Sequence, residues 1–268
     1  MAAPTIQDIL NWLSSLARGH YPEDCLYEGK PENAATGVLF CWMANAGARQ
    51  AALDSGVNVL VSHEAPYYVT RNVDPGCPPP EEWQVNQNIK QYYASHGVAI
   101  IRSHRTLDAY CIPRLFAEHL GFPAPAVREG YEGYDFTLVY DLPRQSFSAL
   151  TAQLGKKMQL ATVRASACDP AKPVSRVGIG WGGVSLSTNL QYMEKLRRHG
   201  VEVVLGGEVD EYALEYYRES GMEWIELGHY ASEIIGLAAT ATDLARRFPQ
   251  LKVECYRDAA RRMAHYAL

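Results

Sequence analysis

The chain has 268 residues, 47% of them hydrophobic, and a formal net charge of −5. That length supports a sizeable core, as one large domain or two small ones. It carries no basic block to neutralise phosphates, so nucleic-acid binding is not expected, and no window approaches the roughly 20 apolar residues of a membrane span.

From the N-terminus, Met1 to Leu16 lacks a basic n-region and is interrupted by Gln7, Asp8 and Asn11. It does not read as a signal peptide, and a cytoplasmic protein is expected. Gly37 to Trp42 reads as a strand, and about Ala44 to Asp54 as a helix. A β-branched run after Gly56, Val57 to Val61, ends at Ser62-His63-Glu64. Residues from about Tyr67 to Trp83 contain Asp74-Pro75-Gly76 and Pro78-Pro79-Pro80, the composition of a loop, either a rim or lid or a tolerated surface insertion. Val98 to Arg102 is a further strand, followed by the short loop His104-Arg105-Thr106-Leu107-Asp108 and a helix from about Tyr110 to Leu120, which Gly121 ends.

Phe136 to Tyr140 reads as a strand and Ser146 to Lys157 as a helix capped by Ser146, with Phe147, Leu150 and Leu154 on one face. Thr162 to Ala167 and Arg176 to Trp181 read as strands, Ser187 to Arg198 as a helix. A second β-branched run, Val201 to Leu205, ends at Gly206-Gly207-Glu208, and Met222 to Leu227 ends at Gly228-His229. The apolar spacing of Ile235, Leu237, Ala238, Leu244 and Ala245 predicts a helix over Ser232 to Phe248, with Lys252 to Tyr256 as a last strand.

These elements repeat. Strand, helix, strand, helix, strand occurs twice, with Tyr92-Tyr93 and Gly97 answering Tyr216-Tyr217 and Gly221, and each copy ends at a His. Continuous apolar strands alternating with amphipathic helices imply largely parallel or mixed sheets covered by helices. The expected fold is therefore α/β: duplicated α/β subdomains related by a pseudo-two-fold, with a metal cleft between them. Residues 1–122 with about 229–268 would form the first subdomain and 123–228 the second, as one compact two-lobed unit.

Ligands in such sheets bind beyond the carboxyl ends of the strands, and the chemistry-bearing residues stand there. His63 and Glu64 follow one strand, and His104 and Asp108 another. His229 and Glu233 are four residues apart, so in a helix both would leave one face at adjacent turns. Glu208, Asp210 and Glu211 cluster after Gly206-Gly207 and should border the site; Glu208 matches Glu64 in the repeat, but Gly207 stands where His63 does. Imidazole and carboxylate donors without cysteine suit zinc, manganese, iron, cobalt or nickel. Five ligands exceed one tetrahedral catalytic ion and suit two ions about 3.5–4 Å apart. The glycine-rich Gly178 to Gly183 lacks a dinucleotide or P-loop context and reads as a tight turn or an anion cradle. The six cysteines form no CxxC pair and read as reduced thiols. His20, His96, His119, His199 and His265 read as surface or core-edge residues.

At these residues the chain resembles the Nif-three-like family, also known as GTP cyclohydrolase type-two homologues, from about Thr5 to Tyr256. The family's strand with a His-His pair and a proline turn stands as Val61-Ser62-His63-Glu64-Ala65-Pro66, and its His-Thr-Asn-Leu/Phe-Asp loop as His104 to Asp108. Its Gly-Glu/Asp strand end is Gly207-Glu208-Val209, and its Gly-His-Tyr/Phe-x-x-Glu motif is Gly228 to Glu233. The resemblance implies a dinuclear site with ligands His63, Asp108, His229 and Glu233, Glu64 replacing the second His of the pair, and His104 nearby. It also implies a ring-shaped homohexamer. The family's Trp-Asp-Asn-x-Gly stretch is not recognisable around Tyr21 to Asn33, Trp42-Met43-Ala44-Asn45 replaces its Asp-x-Thr, and the length leaves no room for the inserted domain of longer members. The leading expectation is a metal-dependent hydrolase, cyclohydrolase-like, acting on a small anionic or nucleotide-like molecule, with His104 and Glu208 as proton carriers. The alternative is a non-catalytic metal-binding or interaction scaffold.

Overall fold

The computed structural model describes residues 3–70, 74–131 and 134–258. In chain order the elements are α1 (Ile6–Ser15), β1 (Leu26–Glu28), β2 (Gly37–Cys41), α2 (Ala46–Ser55), β3 (Val59–Ser62), α3 (Gln84–His96), β4 (Ala99–Arg102), α4 (Arg105–Tyr110), α5 (Ile112–Leu120), β5 (Val127–Tyr131) and β6 (Tyr134–Ser146). They continue with α6 (Phe147–Lys157), β7 (Arg164–Ala165), β8 (Pro173–Gly180), α7 (Leu190–Arg198), β9 (Val203–Gly206), α8 (Glu211–Ser220), β10 (Glu223–Glu226), α9 (His229–Arg247) and β11 (Lys252–Cys255). The fold is α/β, with two sheets covered by helices. The chain divides into two compact units, residues 1–107 with 237–268, and residues 108–236.

The sheet of the first unit runs β1-β4-β3-β2-β11. Its inner strands are parallel in register, Val38 opposite Val59 and Val59 opposite Ala99, while β1 is antiparallel. Alternation along each strand divides the side chains between two apolar layers. Val38, Phe40, Val59, Val61 and Ile101 meet Ile9 and Leu13 of α1 and Leu244 of α9. Leu39, Cys41, Leu60 and Ile100 meet Ala48 and Ala52 of α2 and Ile89 and Tyr93 of α3. Both faces are thus buried, which is why these strands read as unbroken apolar runs. Asn45 caps α2 by accepting from the Ala48 N–H at 2.9 Å.

The sheet of the second unit runs β5-β6-β8-β9-β10-β7. β8, β9 and β10 are parallel, Val177 opposite Val203 and Val203 opposite Glu223, and β5, β6 and β7 pair antiparallel. The repeat is physical: β2-α2-β3-α3-β4 and β8-α7-β9-α8-β10 share one parallel connectivity. In each, the second Tyr of the pair is buried, Tyr93 and Tyr217, packed edge-on to its neighbour. Gly97 and Gly221 end α3 and α8 at φ 62° and 73°, a left-handed conformation costly for any residue with a Cβ.

Some expectations need correcting. The segment expected as the loop His104 to Asp108 is helical from Arg105, as α4. The last long helix begins at His229, three residues before the expected Ser232. β5 was not anticipated, because Val127-Arg128-Glu129-Gly130-Tyr131 lacks an apolar face. The expected Phe136 to Tyr140 strand is part of a much longer β6, whose register slips between Asp141 and Gln145, where Pro143 has no N–H to donate. Among the described residues of the Tyr67 to Trp83 stretch the one helical element is a 3-10 turn at Pro80–Glu82; residues 71–73 lie outside the described residues, as does His265. The six cysteines are free thiols. Among the described residues no helix is long and apolar enough to cross a membrane.

Candidate metal centre

In the first unit, β3 delivers His63 and Glu64. The ladder with β2 continues past the strand end, the His63 N–H donating to Cys41 O at 3.1 Å and the Glu64 N–H to Trp42 O at 2.7 Å. His63 is wholly buried and Glu64 half-buried. The end of β4 is tied to that of β3 by Ser103 N–H to Ser62 O at 2.9 Å, which sets the Ser103 carbonyl 3.4 Å from His63 Nδ1. The His104 ring lies against the His63 ring, centroids 4.5 Å apart. His104 and Thr106 donate their N–H groups to the two carboxylate oxygens of Asp24, at 2.8 and 2.6 Å. Asp24 therefore caps α4 from a remote position in the chain, supplying acceptors for the orphan donors of a helix start.

The second unit carries Asp108, Glu208, His229 and Glu233. Asp108 is 7% exposed and accepts from the indole Nε1 of Trp181 at 2.9 Å. His229 and Glu233 stand one turn apart on α9, with His229 Nε2 3.4 Å from Glu233 Oε1, and Glu233 is 3% exposed. His229 Nδ1 lies 2.9 Å from Glu208 Oε2. The glycine-rich stretch forms a tight turn that links these groups. Its Gly182 N–H donates to Ser232 Oγ at 2.9 Å, and its carbonyl accepts from the Glu208 N–H at 2.9 Å. Gly182 has φ 51°, a conformation that favours glycine, and a Cβ there would fall 1.8 Å from Glu233 Oε1 and displace that carboxylate. Asp210, expected to border the site, instead caps α8 and accepts from Ser187. Glu211 opens α8.

A buried histidine, His63, thus occurs in the first unit and buried carboxylates, Asp108 and Glu233, in the second, side chains of the kind that could hold a metal ion. Their chemistry fits such an ion. Buried carboxylates need a compensating cation or hydrogen bonds. Two lone-pair atoms 3.4 Å apart, as in His229 and Glu233, match one edge of a tetrahedron around an ion with bonds of about 2.0–2.1 Å. Asp108 also lines a cavity of about 310 Å³ with Arg114, Phe122, Arg128, Leu138 and Tyr140. Burial pushes the Tyr140 hydroxyl up to about 12, so it is a neutral donor there. Sequence reasoning missed Asp24 and Trp181. Asp24 gave no local signal, whereas Trp181 sat visibly at a strand end among glycines.

Helix-covered sheets with imidazoles and carboxylates just beyond their strand ends define an α/β protein whose side chains could hold a metal ion. The chain belongs to the Duf34/NIF3 (NGG1p interacting factor 3) family, whose model matches residues 4–260. It is 23% identical over 248 residues to a protein of Pseudomonas aeruginosa named GTP cyclohydrolase 1 type 2 homolog, covering 87% of this chain and 88% of the other. Among solved structures it resembles a Bacillus cereus protein related to NIF3, with TM-score 0.79 and 10% identity over 99% of this chain and 100% of the other. It also resembles a hypothetical protein of Staphylococcus aureus, with TM-score 0.74 and 14% identity over 99% and 100%. These likenesses establish the fold.

Proposed function

We propose that the chain is a metal-dependent hydrolase, cyclohydrolase-like, that holds two divalent ions with His63, Glu64, Asp108, His229 and Glu233. The observation that carries this reading is the nearly complete burial of His63, Asp108 and Glu233, each just past a strand end or in the first turns of a helix. The name of the Pseudomonas aeruginosa relative supports a cyclohydrolase-like reaction.

Divalent ions in such a set supply Lewis acidity and lower the pKa of bound water toward neutrality. The chain's own residues do the rest. His104, whose ring lies tilted against that of His63, is placed to carry a proton. The cavity beside Asp108 offers room for the body of a small molecule; its Arg114 and Arg128 are paired with Glu118 and Asp135, partners that an anionic or nucleotide-like substrate would have to replace. Replacing the family's second His by Glu64 adds negative charge, which makes bound water less acidic. A ring-shaped homohexamer and a cytoplasmic location belong to the same proposal.

Metal analysis of protein purified without chelator or a nickel column tests it. Two equivalents per chain are expected, falling clearly in His229→Ala. Unchanged content in the variant removes His229 from the site. A screen over nucleotides, phosphoesters and cyclic amides with added Mn²⁺ or Zn²⁺ tests the reaction, and a metal-loaded protein without turnover anywhere is a scaffold instead.

A further inference from the structure

The geometry points to Glu208 as the positioning carboxylate of His229, one that fixes which ring nitrogen is offered to a metal, rather than as a proton carrier. A carboxylate only accepts, so the 2.9 Å contact with Glu208 Oε2 requires the proton of His229 on Nδ1. Nε2 is then the coordinating atom, and it is the nitrogen that faces Glu233 Oε1. Holding the second ring nitrogen in this way orients a metal-bound imidazole and raises its basicity.

Glu208 is itself anchored by main chain on both sides. Its N–H donates to Gly182 O at 2.9 Å, its carbonyl accepts from Ser185 Oγ at 2.7 Å, and the Gly207 N–H donates to Gly180 O at 2.8 Å. The anchoring elements are the β8 turn and the end of β9, which also carry Gly182 against Glu233. The first unit uses the same device with a neutral acceptor, since His63 Nδ1 faces the Ser103 carbonyl. Both imidazoles therefore have Nδ1 engaged. Glu208, which matches Glu64 in the repeat, has become a support for a ligand.

This inference rests on the metal-site reading, and the test separates the two. Zn²⁺ dissociation constants are measured by chelator competition for the parent, Glu208→Ala, Glu208→Gln and His229→Ala. Glu208→Ala is expected to weaken binding about 10- to 100-fold. Glu208→Gln should recover most of that loss, because its amide oxygen accepts the same bond. The Glu208 side chain is about half exposed, so the melting temperature of metal-free Glu208→Ala should match the parent. In long-range ¹H–¹⁵N spectra of the Zn²⁺-loaded parent, His229 should show a downfield Nδ1–H signal, lost in Glu208→Ala. Affinity within about twofold of the parent in Glu208→Ala, or His229 bound through Nδ1, overturns the positioning role while His229→Ala still loses metal. If His229→Ala binds Zn²⁺ as the parent does, the metal site itself is wrong.

Discussion

A Cβ placed on Gly207 would lie 2.3 Å from the Gly182 nitrogen and 2.4 Å from its carbonyl oxygen. That contact is backbone on backbone, and no rotamer relieves it. It explains an asymmetry visible in the repeat, where Gly207 stands in the place of His63. The second copy cannot hold an imidazole there while the Gly180–Gly183 turn stays put. Gly207→Ala should therefore cost about 1–3 kcal/mol, the range for overpacking a close-packed site. Urea unfolding measures this, and a loss under about 0.5 kcal/mol refutes the packing account. The mismatch was legible in the sequence but its cause was not, since the obstructing atoms belong to a turn 25 residues earlier. The Trp181 bond to Asp108 was hidden for the same reason: partners distant in sequence leave no local pattern.

The elements themselves were legible where a periodic apolar face spans several residues. The parallel strands and the helices α2, α6, α7 and α9 fall close to their expected spans because burial on one or both faces dictates their residue types. Short or polar elements escaped. α4 has only six residues, and its start is capped by Asp24 from another part of the chain rather than by a neighbour. A carboxylate remote in sequence also serves at Glu202, which receives the N–H groups of Ser175 and Arg176 in β8 at 2.7 and 2.9 Å and so ties the turn before β9 to that strand. Burial pushes the Glu202 carboxyl up, but the N–H bonds from Arg176 and Ser175, the Ser175 hydroxyl and the Arg144 charge together outweigh it, and the carboxyl sits below its ordinary value. A lowered folded-state pKa means stability present above the unfolded value of about 4.3 and lost as pH falls through the folded one. Glu202→Gln should cost about 1 kcal/mol at neutral pH, modest because the side chain is a third exposed. Below about pH 4.3 the melting temperatures of parent and variant should converge; parallel curves down to pH 2 would rule the bond out as a source of acid sensitivity.

At the scale of the whole molecule, the first unit is discontinuous, and its sheet is completed by the last described strand. β11 pairs with β2 from Lys252 opposite Gly37 to Cys255 opposite Phe40. Leu251, just before it, packs into the layer that holds Val38 and Phe40. Ending the chain after Phe248 would leave the β2 edge with unpaired N–H and C=O groups beside an opened apolar layer. That variant should melt well below the parent and aggregate on expression, as light scattering and thermal melts would reveal. A shortened chain with the parent's melting temperature would show that β11 is dispensable.

The same connectivity imposes an order on synthesis. As the polypeptide leaves the ribosome, strands β2, β3 and β4 emerge first but must wait for more than a hundred further residues before their last neighbour arrives. Residues 108–236 have all their partners in hand by then and can close while the earlier segment is still open. The nascent protein thus carries an exposed β2 edge until β11 emerges, and chaperone capture should concentrate on that edge up to that point.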